Sequence, residues 1–338
     1  SNPTADGNFY FLVPYDEDPD PGMDTLVFAT DIQKADVFFM MDTTGSMSGA
    51  TANLKSGLTG TIIPGIDAII PDAWYGVSNF DDYPYGSYGS SSSGDVVFQL
   101  HQRMTGDPAI AQTAVNGLPT THIGGDGPES DVPALWATAT GDGLGASYLA
   151  PQTACLAGEV GYPCFRNGAV PILVLITDSP FHNGPDGSNP YSGVVPTPPT
   201  YAEALVELLD IHARVIGVHT GSDTTAKAHL VQVATDTGAI DVSGTPLVYD
   251  VSWDGTGLSA EVVGGIETLA SDVPIDVSAR DRDDDTDLVD ATIFIDRVVP
   301  NAVGGVSDPA DPSMICVGGL AVADTSAPPD GQPDEFLD

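Results

Sequence analysis

The chain has 338 residues and 34.8 kDa, with nine Lys and Arg against 48 Asp and Glu, a formal net charge of -39. Phosphate repels such a surface within a Debye length of about 8–10 Å, which excludes nucleic acid and anionic membranes as partners and favours metals and cationic ligands. With 41% hydrophobic residues the chain can build a core, and its length exceeds the about 250–300 residues at which a single core stops growing, so one large domain plus something smaller is expected.

Taken in chain order, residues 9–15 and 25–30 read as short strands around the acidic connector 16–20. Next come dense apolar runs at 35–42, 74–80, 95–103, 170–178, 214–220 and 246–251, separated by helical spacing at 50–70, 109–118, 130–140, 201–213, 225–237 and 259–270. That alternation predicts an α/β fold with a doubly wound, mostly parallel sheet, since strands covered on both faces are apolar throughout. Pro64 is expected to kink the first helix. Residues 86–94 and 184–199 are Gly-, Ser- and Pro-rich loops. Strands also read at 274–277, 291–299 and 315–323 without helices between them. The expected organisation is therefore an N-terminal β segment (1–34), a central α/β domain (35–271) and a C-terminal β segment (272–338). The last is expected to be truncated and to pack with the first as a small sandwich-like module.

No run approaches the about 18 apolar residues of a membrane span, so no direct membrane insertion is expected. Cys155 and Cys164 lie nine apart and are expected to close a small loop in an oxidising compartment, leaving Cys316 for a partner elsewhere. Forty of the 48 acids are Asp. Glu is the better helix former, so the skew points to turns and calcium-type loops, or to bulk solubility. The densest acid run, 281–290, lacks the Gly and final Glu of a helix-loop-helix calcium loop and reads as a solvated turn.

The most informative stretch is Asp42-Thr43-Thr44-Gly45-Ser46, where an apolar strand gives way to a helix. Asp42, Thr44 and Ser46 can turn three oxygens toward one point above the sheet, where α/β folds bind ligands. Such oxygens suit Mg²⁺, Mn²⁺ or Ca²⁺. As a helix cap alone the pattern is common. It resembles the von Willebrand factor A family, whose metal-ion-dependent adhesion site opens with Asp-x-Ser/Thr-x-Ser. The resemblance assigns a further Asp at the end of a later strand to Asp178.

The match is closer to the I-like domain of integrin β subunits, and it covers residues 36–270. Asp126-Gly127-Pro128-Glu129 fits the segment that completes the adhesion site through Glu129, and Phe80-Asp81-Asp82-Tyr83-Pro84 fits the loop that joins a neighbouring site. The resemblance thus implies Mg²⁺ or Mn²⁺ at Asp42, Thr44, Ser46, Glu129 and Asp178. It implies Ca²⁺ at Asp82, Asp126, the Pro128 carbonyl and Glu129. Gly124 replaces an Asn of the family pattern at the second site, and Gly49 and Ala50 replace the paired acids of a regulatory third site, which is expected to be missing. His182 and Asp186 are expected to border the ligand crevice.

The function expected is extracellular or cell-surface adhesion, in which the ion takes an acidic group of a partner protein or glycan. No nucleophile elbow, phosphate loop or dinucleotide fingerprint is present, and the six histidines show no paired zinc spacing, so no enzymatic activity is expected. The alternatives are a metal-stabilised structural surface protein and, less favoured, a two-metal hydrolase.

Overall fold

The computed structural model describes residues 32–120 and 122–271 in full, together with the backbone of 307–308 and 311–315. Six strands, β1 (Lys34–Asp42), β2 (Asp72–Phe80), β3 (Gln99–Thr105), β4 (Val170–Thr177), β5 (Arg214–Thr220) and β6 (Val248–Val251), form one sheet in the order β3-β2-β1-β4-β5-β6. All neighbours are parallel except β3, which pairs antiparallel with β2 at the edge. The expected doubly wound, mostly parallel sheet is the fold.

The reason lies in the alternation of side chains along strands that are apolar on both faces. Val37, Phe39 and Met41 of β1 enter one core, and Phe38 and Met40 enter the other. The same split sends Ile172, Val174 and Ile176 of β4 one way and Leu173 and Leu175 the other. The helices are α1 (Ser48–Gly57), α2 (Ile63–Asp67), α3 (Pro108–Asn116), α4 (Asp131–Thr140), α5 (Tyr201–Asp210), α6 (Thr224–Asp236) and α7 (Leu258–Ser271). Leu54, Ile66, Val115 and Ile266 bring α1, α2, α3 and α7 to the first core, while Leu135, Leu208 and Leu230 bring α4, α5 and α6 to the second. Because β1 has β2 on one side and β4 on the other, its C-terminal end opens at the point where connections diverge to opposite faces, which is where such sheets bind ligands.

Three local departures have physical causes. The helix expected over 50–70 contains a π turn at Leu58–Ile62, where Ile63 N–H reaches back to Leu58 O. This turn precedes Pro64, which has no N–H for an α-helical bond. The strand expected from 95 starts at Gln99, because the Asp95 carboxylate is held by the N–H groups of Ser90, Ile123 and Gly124 in the adjoining loops. The strand expected from 246 starts at Val248, after Pro246.

At the N-terminal ends of the strands, Arg166 closes the sheet. Its Nε lies 2.7 Å from Asp36 Oδ1, its Nη1 lies 2.6 Å from Asp72, and its guanidinium sits 4.4 Å from the Trp74 ring centre. Burial pushes the Asp36 carboxyl up, and Arg166 opposes it. Cys155 and Cys164 form the expected disulfide.

The chain separates into two compact units, Asp31–Pro274 and a second drawn from both ends, Ser1–Thr30 with Ile275–Asp338. In the second, β7 (Ser307–Asp308) pairs antiparallel with β8 (Asp311–Ile315). The strands expected at 9–15, 25–30, 274–277 and 291–299, the rest of 315–323, the acid run 281–290 and Cys316 lie outside the described residues. Among the described residues, no helix is long and apolar enough to cross a membrane.

Candidate metal centre

Asp42 is the last residue of β1 and is fully buried. Its Oδ1 accepts hydrogen bonds from the Thr44 N–H (2.9 Å) and hydroxyl (2.7 Å), and its Oδ2 from the Thr177 hydroxyl at 2.7 Å. Threonines therefore orient the carboxylate while leaving it lone pairs for a cation. The chain then turns through a short 3₁₀ segment, Gly45–Met47, which exposes Ser46. The Ser46 hydroxyl donates to Asp178 Oδ1 at 3.1 Å, and Ser179 donates to the same oxygen. Asp42, Thr44, Ser46 and Asp178 thus meet at the C-terminal ends of β1 and β4. Burial, reinforced by the Asp178 charge, pushes Asp42 up to about 7 against the threonine bonds.

Glu129 arrives from a loop clamped on both sides. Its N–H donates to Pro180 O and its carbonyl accepts from His182 N–H, both at 2.8 Å. On the other side, Ser130 donates through its N–H to Asp81 O and through its hydroxyl to Asp81 O and Val97 O. The Glu129 side chain is buried with Oε2 lacking any hydrogen-bond partner. Burial pushes its carboxyl far above the usual range, helped by Asp42, Asp82, Asp131 and Asp81. Charges of both expected sites therefore act on it. Pro128, expected to lend a carbonyl, is half-buried just before it.

Gly124 has φ +69, and a β-carbon there would stand 2.7 Å from Glu129 Oε1. The glycine that departs from the family pattern is thus the residue that makes room for the carboxyl. Gly49 is similarly pressed: a β-carbon would lie 2.7 Å from Asp254 Cα and 2.8 Å from Trp253 O.

Asp82 lies just beyond β2 and is fully buried. Its Oδ1 accepts from the Tyr83 N–H at 2.6 Å and from the Tyr191 hydroxyl, while Oδ2 has no hydrogen-bond partner. Burial pushes it up to about 8, with Asp126 and Asp95 adding to the rise against the Tyr191 and Tyr83 bonds. His182 Nε2 lies 3.3 Å from that Oδ2 and 3.2 Å from Asp126 Oδ1. The expected second-site acids Asp82 and Asp126 do come together, and His182, expected only at the rim, stands between them.

Asp81, Asp95 and His122 also converge, but their carboxylates are already bonded. Asp81 takes the Thr43 hydroxyl, the Val96 N–H and His122 Nδ1. Asn79 links Thr43 to His101, so a row of polar groups from His101 to His122 underlies the site. Asp186 sits exposed at a left-handed turn (φ 58), where its charge acts on His229.

Sequence reasoning passed over Asp131. It opens α4 like an ordinary first-turn acid, yet it is fully buried and both carboxylate oxygens lack partners. Burial and the nearby Asp42 charge push it well up. Its lack of a capping bond to the helix could not be seen without the fold.

No family model and no curated protein matches the chain. Among solved structures, proximal thread matrix protein 1 from the mussel byssus is similar at 12% identity and TM-score 0.42, covering 71% of this chain and 49% of that one. A structure of the same mussel protein with a zinc-occupied MIDAS motif gives 13% identity and TM-score 0.41, with coverages of 71% and 48%. This chain spans about half the length of those structures.

Proposed function

We propose that the chain is a divalent-cation-dependent adhesion or ligand-binding module of the von Willebrand factor A kind, with the integrin β I-like variant as its nearest pattern. Asp42, Thr44, Ser46, Glu129 and Asp178 hold Mg²⁺ or Mn²⁺. The cation keeps one face for an acidic group of a partner protein or glycan and works by binding, not turnover. One observation carries this reading: the hydrogen-bonded set Asp42, Thr44, Ser46 and Asp178 shares a crevice end with a buried Glu129 whose Oε2 has no partner. A buried carboxylate in that state is costly unless a proton or cation joins it. The donors are hard oxygens, as Mg²⁺ requires. The Cys155–Cys164 disulfide supports an extracellular or cell-surface setting.

The test is capture of a peptide array presenting Asp and Glu side chains. Binding is expected in Mg²⁺ or Mn²⁺, with loss in EDTA and in Ser46→Ala, while circular dichroism stays unchanged. A second reading, a structural protein that cations only stabilise, is favoured by the two unpartnered buried acids Glu129 and Asp131. It predicts a rise in Tm with Mg²⁺ but no cation-dependent capture of any carboxylate.

A further inference from the structure

The imidazole of His182 is held from several sides. Its Nδ1 lies 2.7 Å from the Asn189 carbonyl oxygen, its ring stacks on Tyr191 with centres 4.2 Å apart, and Tyr88 meets it edge-on at 5.0 Å. A carbonyl oxygen only accepts, so Nδ1 carries a proton, and Nε2 is the ring atom that faces Asp82 Oδ2 and Asp126 Oδ1. Nε2 and the two carboxylate oxygens all lie within 4.8 Å of one another, a spacing that a single cation can bridge. Asp82 Oδ2 is buried and makes no hydrogen bond, while the other oxygen is fixed by Tyr191 and Tyr83. Asp126 is about one-third exposed and gives the cluster access to solvent.

We infer that Asp82, Asp126 and His182 form a nitrogen-containing site for a borderline divalent metal of the zinc type, rather than the oxygen-only calcium site that the sequence pattern implies. One imidazole and two carboxylates, with a place left for water, is a donor set that zinc accepts. Calcium seeks six to eight oxygens, whereas here a ring nitrogen stands between the two carboxylates. The Asn189 carbonyl and the Tyr191 hydroxyl are the supporting contacts such ligands need, fixing the tautomer of the histidine and the orientation of the carboxylate. None of Asp42, Thr44, Ser46 and Asp178 takes part, so this inference stands apart from the first-site reading.

The experiment titrates Zn²⁺ calorimetrically into the full chain in millimolar Mg²⁺, which occupies the oxygen-only site, and follows Co²⁺ by visible absorption. One Zn²⁺ equivalent is expected. Tyr191→Phe weakens it about 10–100-fold, and His182→Gln and Asp126→Asn weaken it by more than that. The visible Co²⁺ bands disappear in His182→Gln. Titration of Mg²⁺ stays as in the wild type in these variants and is lost in Asp42→Ala, which separates failure at one site from failure at the other. Should His182→Gln not fold, Asp126→Asn at its partly exposed position decides the question. Unchanged Zn²⁺ affinity in the folded variants, or no Zn²⁺ uptake by the wild type, overturns the inference and leaves His182 bridging the two acids without a metal.

Discussion

Gly124 leaves the space that the carboxyl of Glu129 fills, with only 2.7 Å between Oε1 and the place a β-carbon on Gly124 would occupy. Any side chain there must displace Glu129 and also adopt a left-handed backbone, at a cost of about 1–2 kcal/mol. Gly124→Ala is therefore expected to lower unfolding free energy by about that amount in urea titration and to weaken Mg²⁺ binding at least about tenfold. Gly124→Asn, which restores the family pattern, is expected to behave no better. Wild-type Mg²⁺ affinity in either variant would show that Glu129 is no ligand.

Glu129→Gln separates the burden of a buried acid from its use. The amide keeps the shape of the side chain but removes a carboxyl crowded by Asp42, Asp82, Asp131 and Asp81. In EDTA the variant is expected to melt at or above the wild-type temperature. Adding Mg²⁺ at about 100 times its Kd stabilises the wild type by about 2.7 kcal/mol, and this gain should vanish in the variant. A variant clearly less stable than the wild type in EDTA would mean that Glu129 serves packing or hydrogen bonding instead.

The pH response of the fold has a contributor outside the metal ligands. His229 Nδ1 accepts the Phe181 N–H at 3.0 Å, and its Nε2 lies 3.2 Å from the Ser188 hydroxyl, so a second proton would break a buried bond. Burial lowers its pKa from 6.5, opposed by Asp223 and Asp186. The unfolded chain thus takes up a proton near 6.5 while the folded one resists, and this share of stability is complete above 6.5 and is lost as pH falls below it. Wild type should therefore lead His229→Gln by more at pH 8 than at pH 5.5 in chemical denaturation. A pH-independent gap would count against this assignment.

The central sheet was legible because β1 and β4 are apolar on both faces and end in Asp42 and before Asp178, so composition alone marks both strand and rim. Asp82, Asp126 and Glu129 were legible through local motifs, each within a few residues of a Pro. His182 joining Asp82 and Asp126 was not, since its partners come from loops after β2 and before α4, and no local spacing encodes that meeting. The π turn before Pro64 was read only as a kink, because proline removes one bond without stating how the ladder re-forms.

Arg166, tied to Asp36 at the foot of β1, has company there. Lys34 opens β1 and Arg214 opens β5, whereas Asp42, Asp82, Asp126, Glu129, Asp131 and Asp178 gather toward the other end. The strands therefore run from a foot where Asp36 and Asp72 pair with Arg166 to an acidic rim, which draws cations inward and turns anionic proteins away. Under the proposed function this imposes an order of events: the ion must arrive first, cancelling the rim's repulsion, before any acidic partner can dock.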